Sequence, residues 1–366
     1  MSVAETQYFA LLRAALWDGP VELEGAVDWK AVLKMAEHHG NTALLADVAV
    51  KMTDANKPSE TLCASLRLVM RNNLLQQMHL RQIMVSAVKL LREHGIEAVL
   101  LKGFGLASLY PNPVLRQFGD IDLFVGIDNF HPACTVLRTL PGGYNWGEEV
   151  DEGRHFNIEF GPYPMEVHRV SAEVSDPKES KVYADIERDG LFENTQRVDL
   201  DGFEVSIPSK EFQVFYTFYH AWHHFLTSGV GWRQLSDVAL TLHAYRDDLD
   251  LERLRQWLDS MHLMKPWQAF GYLLVDCLAL PKEEMPFYDA SCRRTARRLY
   301  RNVMEMGNFK RVSRFKQRVP KRCLWHKIHS FFGVFVDFFY RARVFPSVAF
   351  RELRTSLKTA IGKTRK

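Results

Sequence analysis

Residues 116–125 read RQFGDIDLFV and limit the fold more than any other stretch of the chain. Apolar residues alternate there with Asp120 and Asp122, which is the two-residue period of a β-strand that buries one face. The opposite face then carries two carboxylates, which repel each other and shift each other's pKa unless a positive charge lies between them. That charge could come from a metal ion or an arginine, or the two carboxylates could only be solvated by water at a strand end. Replacing one of the two aspartates is therefore expected to cost little stability.

The sequence on either side of this strand changes character twice. Residues 1–95 have apolar positions at three- and four-residue intervals, as helices do, whereas residues 96–208 contain short strand-like runs. After Ser209, which suits a helix N-cap, the helical spacing returns. The sequence therefore predicts an α+β fold with four parts. These are a helical N-terminal region (1–95), an α/β core (96–208), a helical domain (209–290) and a basic, aromatic-rich helical tail (291–366).

Three carboxylates in the α/β core have the pattern of a metal site. The run MEVHRV puts Glu166 and His168 on one face of a strand and apolar residues on the other. With Asp120 and Asp122 on a neighbouring strand, Glu166 completes a set typical of two-metal phosphoryl transfer, in which the ions lie about 3.5–4 Å apart. Mg²⁺ is the expected ion because it prefers oxygen ligands and substrate phosphates, and Mn²⁺ is the alternative.

A glycine-containing turn upstream of the aspartates has the pattern of a phosphate site. The run IEAVLLKGFG supplies Lys102, Gly103 and Gly105 where a strand-like segment ends and a helical turn begins. Glycine allows backbone N–H groups to approach a phosphate, and a helix N-terminus favours an anion. We therefore expect this turn to bind the phosphates of a nucleotide.

These motifs together resemble a known group of enzymes. The segment LLKGFGLASLYPNPVLRQFGDIDLFV is similar to the polymerase-beta-like nucleotidyltransferase superfamily, and more closely to a bacterial family called uncharacterised nucleotidyltransferase. Members share a K-G, a Y-P, an R, a G-D-I-D-L and a later E-x-H, and they carry a downstream block like HAWHHFLTSGVGWRQLSDVALTL. The resemblance runs from about residue 20 to about residue 245 and implies a small mixed sheet with flanking helices.

The resemblance also implies an activity, the transfer of an NMP from an NTP, with ATP as the expected donor, to a hydroxyl group with release of pyrophosphate. Asp120, Asp122 and Glu166 are the implied metal ligands and catalytic residues, and Glu166 would help to deprotonate the acceptor. The acceptor is left open between a small molecule, a sugar, a protein and RNA. The expected nucleotide-binding residues are Lys102, Gly103, Gly105, Arg116 and Gly119.

Two alternatives stay open beside this activity. Phe104 occupies the place of the superfamily's usual serine, whose hydroxyl touches phosphate. Lys102 could supply the missing contact, but an inactive relative that only binds nucleotide also fits this substitution. A glycosyltransferase is the other alternative, because D-x-D on a strand also binds Mn²⁺ and a sugar nucleotide. Such a fold needs a βαβ unit before the motif, where residues 1–95 here are predicted to be helical.

Several polar side chains near these motifs have two interpretations each. Arg116 could contact the triphosphate or form a structural ion pair, and His168 is expected to orient Glu166. His220 and His224 are expected to line a groove facing the active site rather than to bind zinc. Arg233 is expected to form a buried ion pair with Asp237, or otherwise to contact substrate.

Charge is distributed unevenly along the chain. The formal net charge is +3, but residues 293–366 contain 21 lysines and arginines against 3 acids. Apolar residues recur among the bases close to helical spacing, which predicts a weak association of the tail with RNA or with an anionic membrane surface. A non-enzymatic module that uses only this tail is a third interpretation of the chain. The longest apolar run, IHSFFGVFVDFFY, is broken by Asp337 and is too short to span a bilayer.

The cysteines and the N-terminus indicate the compartment. Five cysteines, at positions 63, 134, 277, 292 and 323, are odd in number and lack CxxC spacing. They indicate reduced thiols rather than a disulfide framework or a zinc site. The first residues lack the basic n-region of a signal peptide. The sequence therefore predicts a cytoplasmic protein.

Overall fold

The computed structural model describes most of the chain. The described residues are 1–53, 55–144, 155–174, 176–308, 338–339, 341–351 and 353. The prediction for the tail beyond residue 308 falls mainly on residues outside these ranges.

Helices precede and follow a central sheet along the chain. The N-terminal ones are α1 (Val3–Trp17), α2 (Trp29–His39), α3 (Thr42–Lys51) and α4 (Glu60–Glu93). Those within the central region are α5 (Phe104–Ala107), α6 (Gly126–Leu137) and α7 (Pro177–Arg188). The later ones are α8 (Lys210–Thr227), α9 (Trp232–Tyr245), α10 (Leu251–Ser260), α11 (Met264–Leu278) and α12 (Arg293–Met306).

The sheet is mixed and has six strands in the described residues, in the order β3-β4-β2-β1-β6-β5. The strands are β1 (Val99–Leu100), β2 (Ile121–Phe124), β3 (His155–Phe160), β4 (Tyr163–His168), β5 (Gln196–Asp199) and β6 (Glu204–Ile207). β2 runs antiparallel to β1 and parallel to β4, while β3–β4 and β5–β6 are antiparallel pairs. This arrangement agrees with the predicted α+β class.

Local sequence signals explain where several elements begin and end. Ser209 caps α8, since its hydroxyl accepts a hydrogen bond from the backbone N–H of Phe212. Gly40 ends α2 in the left-handed conformation, with φ +74°, which a glycine adopts without the steric cost of a Cβ. The strand β1 lies within the predicted strand-like run IEAVLLKGFG, and β4 overlaps the predicted strand MEVHRV.

Two hydrophobic cores lie on opposite faces of the sheet. One joins the end of α4, α6 and one sheet face, and includes Leu123 and Val167. The other joins α1–α3 to the later helices and includes Val99 and Phe124. Because side chains alternate along a strand, Asp122 shares the face of Phe124 and is turned toward the later helices.

This second core alters the expectation for the aspartate strand. The alternation predicted a half-buried strand, but all four residues of β2 are buried, and Asp122 is only 1% exposed. A two-residue period shows which residues share a face, whereas helices distant in sequence decide whether that face meets water. The carboxylate face of β2 is therefore an interior surface.

We expect Gly190→Ala to destabilise the packing of α8 on the core. Gly190 lies in a short π-helical segment after α7, where an added Cβ would be 2.2 Å from the Cβ of Phe212 on α8. Overpacking of this kind costs about 1–3 kcal/mol. Urea unfolding followed by circular dichroism should show this loss in the free energy of unfolding.

Gly19→Ala is the matched control, because no atom lies within 4 Å of its added Cβ. Its free energy of unfolding should stay within about 0.5 kcal/mol of the wild-type value. Equal stability of both variants would contradict the close packing at Gly190.

Candidate active site

The register of β2 and β4 places two of the predicted carboxylates side by side. Asp122 is the direct cross-strand partner of Glu166. The Asp122 side chain is fully buried, whereas that of Glu166 is 25% exposed. Asp120 directly precedes β2 and is half-buried. One sheet face thus brings together Asp120, Asp122 and Glu166, as the sequence predicts.

Asp122 has a nitrogen-bearing side chain at each carboxylate oxygen. Lys102 Nζ lies 3.1 Å from Oδ2, and His168 Nε2 lies 3.0 Å from Oδ1. Burial acts to raise the pKa of Asp122, but Lys102 and His168 outweigh it and hold that pKa well below its usual range. The pKa of Lys102 is raised well above its usual range, because the charge of Asp122 outweighs the opposite effect of burial. Both groups are therefore charged at neutral pH.

His168 connects Asp122 to Glu166. Its Nε2 atom is 3.4 Å from Glu166 Oε2 as well as 3.0 Å from Asp122 Oδ1. His155, the cross-strand partner of His168 on β3, places Nδ1 4.0 Å from the same Glu166 oxygen. His168 therefore contacts Glu166, in line with its predicted orienting role, and contacts Asp122 at a shorter distance. His155 is not among the predicted site residues, although the alternation in HFNIEF puts it on the face of Glu166.

A cavity of about 270 Å³ opens between this sheet face and the helices α8 and α9. Its acidic wall includes Asp120 and Glu166. The same cavity is also lined by basic and imidazole side chains, which we call its basic wall. These are Lys102, Arg116, Arg233, His220, His223 and His224, and Asp237, the partner of Arg116, lies among them. A cavity with carboxylates beside cations can hold a metal ion and an anion together.

His220 and His224 meet at the basic wall. Their Nε2 atoms are 3.1 Å apart, and Lys102 Nζ is 3.3 Å from Nε2 of His220. His224 Nδ1 is 2.8 Å from the hydroxyl oxygen of Ser228. Burial and then the positive charge of Lys102 lower the pKa of His220 well below its usual value. His220 is therefore neutral at pH 7, and the two histidines line the cavity.

Arg116 forms a buried ion pair that joins the turn before β2 to α9. Its Nε and Nη2 atoms lie 2.7 and 2.9 Å from the two carboxylate oxygens of Asp237, and Tyr110 donates to the same carboxylate at 2.7 Å. Burial opposes the charge of Arg116, but Asp237 outweighs it and raises the pKa of Arg116. Nη1 of Arg116 also donates to the carbonyl of Gly103 at 3.2 Å. Arg116 thereby positions the glycine turn.

The predicted ion pair between Arg233 and Asp237 is wrong, because Asp237 pairs with Arg116 instead. Arg116 occupies both carboxylate oxygens of Asp237, because the turn before β2 packs directly on α9. Arg233 instead donates to the carbonyl of Gln117 at 2.6 Å. Burial and the charge of Arg116 lower the pKa of Arg233. Arg233 therefore presents a buried guanidinium to the cavity.

Polar side chains of α4 hold the segment that precedes the aspartates. Gln77 donates to the carbonyl of Arg116 at 2.6 Å, and Gln76 donates to the carbonyl of Phe118 at 2.7 Å. Asn73 donates to the carbonyl of Val114. These residues are not among the predicted site residues, although the polar run NNLLQQ interrupts the apolar stripe of this helix.

The glycines of the turn divide into different roles. Gly103 lines the cavity with φ +60°, and Gly119 lies beside Asp120 with Gln76 packed near it. Gly105 is buried in α5, where an added Cβ would be 3.2 Å from Ile207 on β6. Gly105 therefore serves close packing rather than the expected phosphate contact. The expected helix N-terminus also contributes little, because α5 has four residues and hence a small dipole.

Phe104 packs into the core under this turn. It is 9% exposed, and its ring meets Phe118 edge to face with the centroids 4.9 Å apart. A serine there would lose that contact. The residue that approaches the cavity from this turn is Lys102.

The donor set fits a divalent cation. Asp120, Asp122 and Glu166 offer oxygen ligands, which Mg²⁺ and Mn²⁺ prefer. Oδ2 of Asp122 is a buried oxygen that already faces a positive charge, the Lys102 ammonium 3.1 Å away. His155, Glu166 and His168 also bring ligand atoms within 4.8 Å of one another, and imidazole is a ligand of transition metals rather than of Mg²⁺. These residues could therefore hold a metal ion.

Comparison with protein families gives one match that covers most of the chain. The model of the family described as uncharacterised nucleotidyltransferase matches residues 25–279. No match is found among the curated proteins.

Comparison with solved structures gives distant neighbours. The antibiotic-resistance factor ANT(2'')-Ia has 17% identity and a TM-score of 0.35, over 50% of this chain and 91% of that chain. A nucleotidyltransferase-like antigenic protein from Paracoccidioides brasiliensis has 13% identity and a TM-score of 0.33, over 54% of this chain and 92% of that chain. The Megavirus polyadenylate synthase has 11% identity and a TM-score of 0.31, over 70% of this chain and 57% of that chain.

We expect Asp122→Asn to destabilise the protein. The sequence alone predicts a small cost, because Asp120 and Asp122 repel each other. The variant leaves Lys102 buried without its counter-charge, and breaking a buried pair in this way costs about 3–5 kcal/mol. Asp120→Asn is the matched control and should change the free energy of unfolding by less than about 1 kcal/mol. Chemical denaturation at pH 7 measures both.

The pH dependence provides a second check on this pair. Folding lowers the pKa of Asp122, so its charge stabilises the fold above the unfolded carboxyl pKa of about 3.9, and the benefit is lost as the pH falls below that value. The stability gap between wild type and Asp122→Asn should therefore shrink in acid. A gap that is equal at pH 3 and pH 7 would contradict this assignment.

Proposed function

Because the chain belongs to the uncharacterised nucleotidyltransferase family and has a polymerase-beta-like core flanked by helices, we propose that it is a nucleotidyltransferase. The proposed reaction transfers an NMP from an NTP to a hydroxyl group of an acceptor and releases pyrophosphate. The observation that supports this activity is that one cavity is lined both by the carboxylates Asp120 and Glu166 and by the cations Lys102 and Arg233. A metal–triphosphate complex needs both walls, because the metal requires anionic oxygens and the phosphates require cations.

The acidic wall would carry the metal and the acceptor. Asp120, Asp122 and Glu166 would hold Mg²⁺ or Mn²⁺. When bound, such ions polarise phosphoryl oxygens and stabilise the charge on the attacking and leaving oxygens. The side chain of Glu166 is 25% exposed, whereas that of Asp122 is fully buried, so Glu166 is the one of the two that can take the proton of the acceptor hydroxyl. His168 orients Glu166 and keeps the neighbouring Asp122 charged.

The basic wall would bind the triphosphate. Lys102 and Arg233 supply positive charge, and His220 supplies a neutral imidazole beside Lys102. Gly103 allows the backbone to approach the phosphates, while Arg116 holds the carbonyl of Gly103 and so fixes that turn. ATP is the donor that we propose.

Phe104 favours one alternative, an inactive relative that binds nucleotide without turnover. Its ring is packed against Phe118, so no hydroxyl is available at the place of the superfamily's usual serine. Lys102, which lines the cavity two positions before Phe104, is the residue that would compensate. Measured turnover decides between the two.

The tail and the compartment extend this proposal. Among the described residues, Cys63, Cys134, Cys277 and Cys292 are not joined by disulfides, which supports a reducing compartment such as the cytoplasm. No described helix is long and apolar enough to cross a membrane. Five arginines of α12 are exposed, and they support the proposed weak association of the tail with RNA or an anionic membrane surface near the acceptor. The arginines are Arg293, Arg294, Arg297, Arg298 and Arg301.

The proposed activity predicts transfer of the α-phosphate label. Purified protein should be incubated with each NTP labelled at the α-phosphate, with Mg²⁺ or Mn²⁺ and a fractionated cell extract. We expect metal-dependent label on one class of acceptor and matching release of pyrophosphate. Asp120→Ala should remove both, because it removes a metal ligand, whereas Asp128→Ala on the exposed start of α6 should not.

Two outcomes would contradict this activity. Label that transfers from the γ-phosphate but not from the α-phosphate would indicate a kinase-like reaction. Metal-dependent nucleotide binding with no transfer to any fraction would favour the inactive relative.

Glu166→Gln tests the role of the third carboxylate. We expect nucleotide affinity to change little while turnover falls on the order of 10²–10⁴-fold, because the amide cannot accept the acceptor's proton. Isothermal titration and the transfer assay measure the two effects separately. Glu159→Gln on β3 is the matched control and should change neither affinity nor turnover. If Glu166→Gln instead lost affinity and turnover equally, Glu166 would be chiefly a metal ligand.

A further inference from the structure

Lys102 occupies the position where a cation would meet Asp122. Its ammonium lies 3.1 Å from Oδ2 of Asp122, and the side chains are 14% and 0% exposed. The other oxygen of Asp122 faces His168 at 3.0 Å. A divalent ion that binds Asp122 would therefore meet the positive charge of Lys102 at close range and in a poorly solvated place, where like charges repel strongly.

The basic wall offers Lys102 a second place to bind. Lys102 Nζ is 3.3 Å from Nε2 of His220, and Nε2 of His224 is 3.1 Å from the same atom. Both neighbours meet the same ring nitrogen of His220, and a neutral imidazole nitrogen offers at most one lone pair. A phosphate oxygen in the cavity could accept from Lys102 and relieve this competition.

We propose that Lys102 and a divalent cation are alternative partners of Asp122, and that Lys102 moves from Asp122 to the nucleotide phosphates when the metal–nucleotide complex binds. This inference rests on the proposed function and names how the same site is regulated. In the free protein, Lys102 neutralises Asp122 and keeps the buried carboxylate ordered. In the complex, the metal balances Asp122 while Lys102 balances the triphosphate.

The exchange has a thermodynamic consequence. Without nucleotide, a metal ion that binds Asp122 must displace the Lys102 ammonium, and no anion is present to receive it. The affinity for metal alone is therefore low. Nucleotide supplies that anion and so raises the affinity for metal, and by linkage metal raises the affinity for nucleotide by the same factor. Lys102 thereby limits occupancy of the site by metal alone.

The experiment measures Mn²⁺ binding to the full chain from the electron paramagnetic resonance signal of free Mn²⁺. The titration is run with and without α,β-methylene-ATP, which binds without transfer of the NMP. Lys102→Met should raise the affinity for Mn²⁺ alone at least ~10-fold, because the competing charge is gone, and lower the affinity for the nucleotide analogue. The enhancement of Mn²⁺ binding by the analogue should shrink in this variant.

Two further variants separate this exchange from simpler effects. Lys102→Arg keeps the charge and should retain weak binding of Mn²⁺ alone. Arg233→Met removes another cation of the cavity, one that binds the carbonyl of Gln117 rather than Asp122. It should weaken binding of the analogue and change the affinity for Mn²⁺ alone by less than ~3-fold, since a more distant charge acts weakly. Circular dichroism confirms that each variant is folded.

The outcomes distinguish this inference from the proposed function. A folded Lys102→Met that binds Mn²⁺ no tighter than wild type, or an equal rise in Arg233→Met, would overturn the exchange alone. The proposed function would then stand if wild type still binds Mn²⁺ together with the analogue. Failure of every folded protein to bind Mn²⁺ with the analogue would overturn both.

Discussion

A carboxylate buried inside the sheet, Asp122, is the constraint on which the rest of the site depends. An isolated charge at that depth would be costly, so it requires partners on both oxygens. Lys102 comes from the end of β1 and His168 from the end of β4, the two strands that flank β2. The aspartate thus determines which side chains its neighbouring strands must present, and it keeps the acidic wall ordered before any ligand binds.

A second buried ion pair joins this sheet to the later helices. Arg116 binds Asp237 through two hydrogen bonds across 121 positions of sequence, and the same guanidinium holds the carbonyl of Gly103. The basic wall belongs largely to α8 and α9, whereas the acidic wall belongs to the sheet. The Arg116–Asp237 pair therefore keeps the two walls of the cavity at a fixed separation, and a change at Asp237 would be felt at the glycine turn.

The sequence allowed prediction of what is local. The alternation in GDIDLFV and MEVHRV located β2 and β4 and the shared face of Glu166 and His168, and the hydroxyl of Ser209 marked the start of α8. What it missed depends on packing between distant segments. Three features require the assembled core. They are the burial of Asp122, the pairing of Asp237 with Arg116 rather than Arg233, and the hydrogen bonds from α4 to the turn before β2. Gly105 was misjudged for the same reason, since Ile207 of β6 decides its role.

The central claim is that one cavity receives the metal at its acidic wall and the triphosphate at its basic wall. A crystal structure of the full chain with Mn²⁺ and α,β-methylene-ATP, with Mn²⁺ located by anomalous scattering, tests it most directly. The account predicts an anomalous peak bound by Asp120, Asp122 or Glu166, with the phosphates against Lys102 and Arg233. Bound nucleotide whose phosphates lie outside this cavity, or a metal bound away from these carboxylates, would contradict it.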